Sequence, residues 1–140
     1  MKRLNDYSLE TPAIAPAVTS GALTGIAIDA TGYSRARFKF HFGANTSTAA
    51  LSAGAAVWGA STSGATYAQI AATSLAAVSS GVLGSKVMII DTNVPTATPW
   101  LKISGAVITL GTIGVSATAQ LYSNFGNPPT HTEQQIVVVG

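Results

Sequence analysis

An alternation over residues 33–43, YSRARFKFHFG, constrains the fold more than any other feature of the sequence. Aromatic residues occupy even positions, Phe38, Phe40 and Phe42, and cationic residues occupy odd ones. Residues two apart share one face of a β-strand, whereas in a helix they are scattered around the axis. The pattern predicts a strand whose phenylalanines pack in the core, because a shift of one residue would bury the cations instead.

The opposite face of this strand carries Arg35, Arg37 and Lys39, three of the chain's seven Lys and Arg residues. One interpretation is the solvated outer face of an antiparallel sheet. The other is contact with an acidic protein partner, and these three are candidate partner-binding residues. Nucleic acid is not favoured, because the aromatic residues face the core and three cations release few counterions.

Further strand-like segments recur about every ten residues between Gly and Ser clusters, a rhythm typical of sandwiches. The sequence therefore predicts an all-β fold, a single antiparallel β-sandwich of jelly-roll-like form. The other predicted strands cover residues 23–29, 51–58, 85–91, 99–104, 106–110 and 115–122. Residues 65–80 are rich in alanine and fit either a helix or two short strands with a bend, which we favour.

Both ends of the chain lack sustained periodicity. We predict an N-terminal arm over residues 1–20, a sandwich body over 21–126 and a C-terminal arm over 127–140. The second arm ends in β-branched residues, and an extended segment gains main-chain hydrogen bonds by joining an exposed sheet edge. The residues predicted to bind a neighbouring chain in this way are Ile136, Val137, Val138 and Val139.

Charged residues form 9% of the chain, against about a quarter in ordinary domains. Such a surface is prone to associate, so we expect much of it to contact other protein. The absence of Cys excludes disulfides and thiolate metal sites. No apolar run approaches the roughly 20 residues of a membrane span. Asp6, Glu10 and two prolines interrupt the first residues, so we do not expect them to act as a signal peptide. We expect a protein made in the cytoplasm that does not bind membranes.

Catalysis would need a nucleophile with its base, paired carboxylates or a metal. His41 is expected on a strand surface and His131 in an arm, so neither indicates an enzyme, and we expect no cofactor. Trp58 and Trp100 fit core packing. Alternatively they stack on sugar rings, which would require exposure beside polar groups such as Asn45 or Gln69.

The order of segments also resembles a known group. IDATGYSRARFKFHFG, VWGASTSGATYAQI, PWLKISGAV and VSATAQLY follow one another, as in small β-sandwich proteins encoded among the head and tail genes of tailed bacteriophages and prophages. The resemblance implies a virion structural protein, such as a capsid decoration or cement subunit. Its implied partners are the major capsid protein or copies of itself in a homo-oligomer. The alternative is a carbohydrate-binding or adhesive β-sandwich module.

Overall fold

The computed structural model describes residues 8–44, 48–71 and 73–123, together with the backbone of residues 135–139. These ranges contain β-strands and no helix, so the predicted all-β class is confirmed. The strands are β1 (Ser8–Ala22), β2 (Ile28–Asp29), β3 (Arg35–Phe42), β4 (Ala50–Leu51), β5 (Ala56–Ala60), β6 (Ala68–Gln69), β7 (Val87–Asn93), β8 (Trp100–Ser104), β9 (Val107–Tyr122) and β10 (Gln135–Val139).

The strands form two sheets that pack face to face. The larger sheet has the order β1-β9-β3-β7-β10, with β4 also paired to β9, and the smaller has the order β2-β8-β5-β6. When β4 and β10 are set aside, the remaining eight strands are distributed between the two sheets in the order of a jelly roll. All pairs are antiparallel except that of β10 with β7. The β-sandwich prediction is therefore confirmed.

The core lies between the two sheets and is built from one face of each strand. Phe38, Phe40 and Phe42 are 0%, 0% and 5% exposed, which confirms the prediction from the alternation of β3. Val57 and Ile103 supply the facing surface of the smaller sheet and are fully buried. The inner and outer faces of β3, β5 and β8 are thereby fixed.

Residues 8–22, which the sequence places mostly in an arm outside the body, form an edge strand of the larger sheet. β1 pairs with β9 from Ser8↔Tyr122 to Ala22↔Val107. Its register shifts three times, with one shift immediately after Pro12 and another across Pro16. An edge strand tolerates proline because one side of it needs no ladder hydrogen bonds. The prolines therefore mark bulges in an edge strand, which sequence periodicity does not reveal.

Two other predicted boundaries differ. The segments 106–110 and 115–122 are one strand, β9, because the ladder with β1 continues past an irregular stretch near Leu110 and Gly111. Within residues 65–80 the structure has the short strand β6 and a single bridge between Leu51 and Val78. Helix is absent from the described residues of this segment, so its alanines follow tertiary context rather than propensity.

Candidate functional site

The two arginines of the predicted basic row converge on one carboxylate. The Nε and Nη2 of Arg35 donate hydrogen bonds to Asp91 Oδ1 at 3.0 and 2.9 Å. The Nε and Nη2 of Arg37 donate hydrogen bonds to Asp91 Oδ2 at 2.9 and 2.8 Å. Tyr122 donates its hydroxyl to the same carboxylate, and Asn93 Oδ1 accepts from Arg35 Nη1. We call these five residues the Asp91 cluster.

Burial separates the members of the basic row. Arg35 is 3% exposed, so the expectation of a solvated outer face is wrong for this residue. The reason is Asp91, which lies beside the row on β7 and compensates the buried charge. Arg37 and Lys39 are half-buried and His41 is exposed. Binding of a protein partner by Arg35, Arg37 and Lys39 stays a prediction.

The cluster also shifts the ionisation of its members. Burial raises the pKa of the Tyr122 hydroxyl above its ordinary value, and the hydrogen bond to Asp91 adds to the effect. Burial alone would lower the pKa of Arg35, but hydrogen bonds with Tyr122 and Asp91 outweigh it and raise that pKa. Both shifts favour a neutral tyrosine beside charged arginines, which is the protonation state that the geometry requires.

The candidate residues of the C-terminal arm lie at the other edge of the larger sheet. The backbone of β10 pairs in parallel with β7 of the same chain, from Gln135↔Met88 to Val139↔Thr92. Ile136, Val137, Val138 and Val139 thus extend a sheet edge, and that edge belongs to their own chain. Their contact with a neighbouring chain stays a prediction. Asn45 and His131 lie outside the described residues.

One end of the sandwich is poor in charge, with His41 and Lys86 at its margin. This uncharged end consists of residues 15–22, 48–54, 76–82 and 105–114, which contain no Asp, Glu, Lys, Arg or His. The segments are joined by the β1–β9 ladder, by β4 pairing with β9 and by the bridge Leu51↔Val78. Its exposed large apolar side chains are Val18 (76%), Leu110 (67%), Val82 (53%) and Val107 (38%).

Leu110 adopts an unusual backbone conformation at this end. Its φ is +60°, in the left-handed region that residues other than glycine rarely occupy. The Thr48 hydroxyl donates a hydrogen bond to the Leu110 carbonyl at 2.5 Å, and Ser80 donates to the Thr48 carbonyl. Neighbouring segments therefore hold the leucine in place although its side chain points into solvent. Residues held in rarely populated backbone conformations cluster at functional sites.

The outer face of the smaller sheet groups the chain's tryptophans with polar residues. Trp58 of β5 pairs with Gln69 of β6 on one side and with Lys102 of β8 on the other. Trp100 lies two residues before Lys102 on β8, on the same face, and pairs with Ala60. The Lys102 ammonium sits 4.2 Å from the centroid of the Tyr67 ring. We call Trp58, Tyr67, Gln69, Trp100 and Lys102 the aromatic face.

The aromatic face is partly accessible. Both tryptophans, Tyr67 and Lys102 are half-buried, and Gln69 is exposed. Trp58 Nε1 is buried without a hydrogen-bond partner. Asp29 of β2 pairs with Trp100 at the margin of the face, and hydrogen bonds from Thr31 lower the pKa of its carboxyl. The tryptophans are thus neither fully core residues nor fully exposed.

The described residues contain no group of three or more His, Asp or Glu side chains placed to hold a metal ion. Among the same residues, no helix is long and apolar enough to cross a membrane.

No family model matches the chain, and no curated protein matches its sequence. Among solved structures, it is similar to a chain in the "Structure of infectious bursal disease virus Gx strain", with 14% identity and a TM-score of 0.47. The match covers 87% of this chain and 34% of the viral chain, so this chain spans about a third of that one. A similarity of this strength assigns neither family nor function.

Sequence reasoning missed the hub of the Asp91 cluster and the uncharged end. Asp91 ends the apolar run VMIID, a position that indicates a buried carboxylate with a cationic partner. The identity of that partner follows only from the pairing of β3 with β7. The exposure of Val18 and Leu110 has no comparable signal. It depends on the bulges in β1 and β9, which a single sequence does not show.

Proposed function

We propose that this protein is a non-enzymatic structural subunit of a tailed-phage virion, a decoration or cement protein of the head. In this role it binds neighbouring capsid chains or copies of itself. The jelly-roll order of the strands is compatible with this role, since viral capsid domains use it, but the same architecture serves other functions. The proposal therefore depends on the surface of the molecule.

The uncharged end is the observation that carries the proposal. Four of the six exposed large apolar side chains among the described residues lie there: Val18, Val82, Val107 and Leu110. Exposed apolar surface of this kind marks sites of association. The centres of protein interfaces are depleted in charge, because a charged group buried without a partner is costly. The four segments that form this end carry no charge to be desolvated.

The Asp91 cluster lies towards the opposite end of the larger sheet, where Ser8 and Arg35 both pair with Tyr122. The buried charges of the Asp91 cluster therefore lie away from the uncharged end. We place the main contact at the uncharged end, with Val18 and Leu110 as its apolar anchors. Lys39 and β10, the last strand in the order of the larger sheet, are secondary contacts.

The first test is to purify particles by density gradient from cells that produce the virus whose genome encodes this chain. Mass spectrometry is expected to find the chain in many copies per particle. Its absence from intact particles would overturn the proposal.

The second test compares two matched substitutions in β1. Val18→Asp places a charge on the uncharged end, whereas Leu9→Asp places one on an exposed leucine (46%) near the other end of the same strand. Both variants should fold. We expect Val18→Asp to lose particle incorporation and Leu9→Asp to retain it. Equal incorporation of the two variants would contradict the assignment of this surface.

A further inference from the structure

We propose that the aromatic face binds a neutral oligosaccharide. This inference is independent of the virion proposal, because it depends on the smaller sheet and on no contact between chains. The tryptophans, the lysine and the glutamine lie on neighbouring strands, in a register that the β5–β6 and β5–β8 ladders fix. The backbone positions of these residues are therefore set before any ligand arrives, which reduces the entropy cost of binding.

The stacking surface is the carbon part of the indoles. Trp58 as a residue is half-buried while its Nε1 is fully buried. Whatever part of this side chain is accessible is consequently carbon. One face of a sugar ring presents C–H groups, and these pack on aromatic carbon with both dispersion and electrostatic attraction. Trp100 and Tyr67 provide further half-buried aromatic surface on this side of the sheet.

Polar groups at the margins of the face match sugar hydroxyls. The Gln69 amide offers both donors and an acceptor, and the Lys102 ammonium offers donors. Both Thr31 hydrogen bonds to Asp29 reach its Oδ1, at 3.0 and 2.6 Å. Asp29 Oδ2 therefore remains an acceptor for a hydroxyl group. Aromatic surface combined with a few placed polar groups is the usual composition of a small-molecule site.

Charge indicates a neutral ligand. The face has one cation, Lys102, and one anion at its margin, Asp29, so its net charge is zero. The Asp29 carboxylate is ionised at neutral pH, and the hydrogen bonds from Thr31 lower its pKa further below neutrality. The carboxylates of an acidic polysaccharide would be attracted by Lys102 and repelled by Asp29. A neutral hydroxyl group can accept a hydrogen bond from Lys102 or donate one to Asp29.

The width of the face indicates several sugar units. From Asp29 on β2 to Gln69 on β6 the face crosses three strand spacings, or roughly 14 Å. A single ring cannot contact both margins. We therefore expect affinity to increase with chain length up to an oligosaccharide that spans the face.

The chain has two tryptophans and both belong to the face, so their fluorescence reports binding directly. The probes are cellotetraose, maltotetraose and chitotetraose, with their monosaccharides and tetragalacturonate for comparison. We expect a saturable change of emission with at least one neutral tetrasaccharide, and weaker or no change with its monosaccharide and with tetragalacturonate.

Two variants test the location of the site. Gln69→Ala alters an exposed residue and should weaken binding about tenfold without loss of stability. Trp100→Ala should weaken it at least as much, as measured by calorimetry. Gln120→Ala, on an exposed residue of the larger sheet, is the matched control and should bind normally.

The proposal is overturned if no neutral tetrasaccharide binds or if tetragalacturonate binds best. It is also overturned if Gln69→Ala and Gln120→Ala bind equally well. Melting temperatures of all three variants separate loss of a site from loss of the fold.

Discussion

Arg35 and Asp91 form an ion pair of 2.9 Å on adjacent strands, with 4% and 1% of their side chains exposed. The pair lies on the outer side of the larger sheet, where the alternation of β3 indicates solvent. Asp91 simultaneously accepts hydrogen bonds from Arg37 and Tyr122. A single carboxylate therefore compensates two arginines, and the loss of each partner has a different consequence.

Asp91→Ala is predicted to destabilise the fold more than Arg35→Met. Without Asp91 the buried guanidinium of Arg35 faces a second cation, and removing one partner of a buried pair costs about 3–5 kcal/mol. Without Arg35 the carboxylate still has Arg37 and Tyr122. Urea unfolding measures both, with Lys39→Met as the control. We expect that control to change the free energy of unfolding by less than about 0.5 kcal/mol. A larger loss of stability in Arg35→Met than in Asp91→Ala would contradict the role of Asp91 as the shared partner of both arginines.

Phe40→Ala is predicted to cost about 3–5 kcal/mol, because the ring is wholly buried and its removal leaves a cavity. Val18→Ala removes an exposed apolar side chain and should change stability by no more than about 0.5 kcal/mol. Thermal unfolding of both variants checks the difference. A small effect of Phe40→Ala would mean that the core tolerates the cavity by collapse.

Alkaline pH should destabilise the protein through Tyr122. Its pKa is raised above the ordinary 10.0, mainly by burial, so the folded state holds the hydroxyl proton longer than the unfolded state does. The resulting stability is present below the ordinary pKa and is lost as pH rises through the folded value. Urea unfolding of the wild type and Tyr122→Phe at a series of pH values checks this. If the free energy of unfolding falls equally with alkaline pH in the wild type and in Tyr122→Phe, Tyr122 makes no such contribution.

Leu110→Asn is predicted to separate folding from association. Asparagine tolerates the left-handed conformation better than leucine does, so the substitution should leave the fold equally stable or more stable by up to about 1 kcal/mol. The same change removes an exposed apolar side chain and should weaken assembly. Thr109→Asn, on an exposed neighbour, is the control. Reduced stability together with normal assembly would refute the assignment.

Gly105→Ala should destabilise the fold more than Gly32→Ala. Both glycines have positive φ, +102° and +87°. A Cβ at Gly105 would overlap the carbonyl oxygen of Gly54, whereas at Gly32 it would meet nothing within 4 Å. Backbone strain is similar in both, so we expect the overlap to add about 1–3 kcal/mol. Denaturation of the two variants measures the difference, and equal effects would show that the loop at Gly54 moves aside.

The sequence predicts the inner face of the molecule better than the outer one. Burial of Phe38 and Phe40 follows from local alternation, since any sheet that hides one face of β3 must hide these side chains. The state of Arg35 depends on a residue fifty-six positions away, so no local pattern contains it. A rule that assigns cations to solvent is wrong where a partner strand supplies a carboxylate.

The aromatic face illustrates a different limit. Trp58 and Gln69 could be named as possible partners from their types, and the structure pairs them across two strands. The positions of Lys102 and Tyr67 beside them required the strand order of the smaller sheet. Residue types in the sequence thus indicate possible ligand-binding residues, but only the strand register brings them together.

The pairing of β1 with β9 has a consequence for synthesis on the ribosome. Ser8 pairs with Tyr122, so the first strand of the larger sheet has no partner until most of the chain has been made. At about 5–20 residues per second this wait lasts roughly 6–23 s. An unpaired strand invites contact with other nascent copies, and proline and bulges discourage such contact. Pro12 and Pro16 are therefore suited to protect the chain during translation, before there is a sheet for β1 to join.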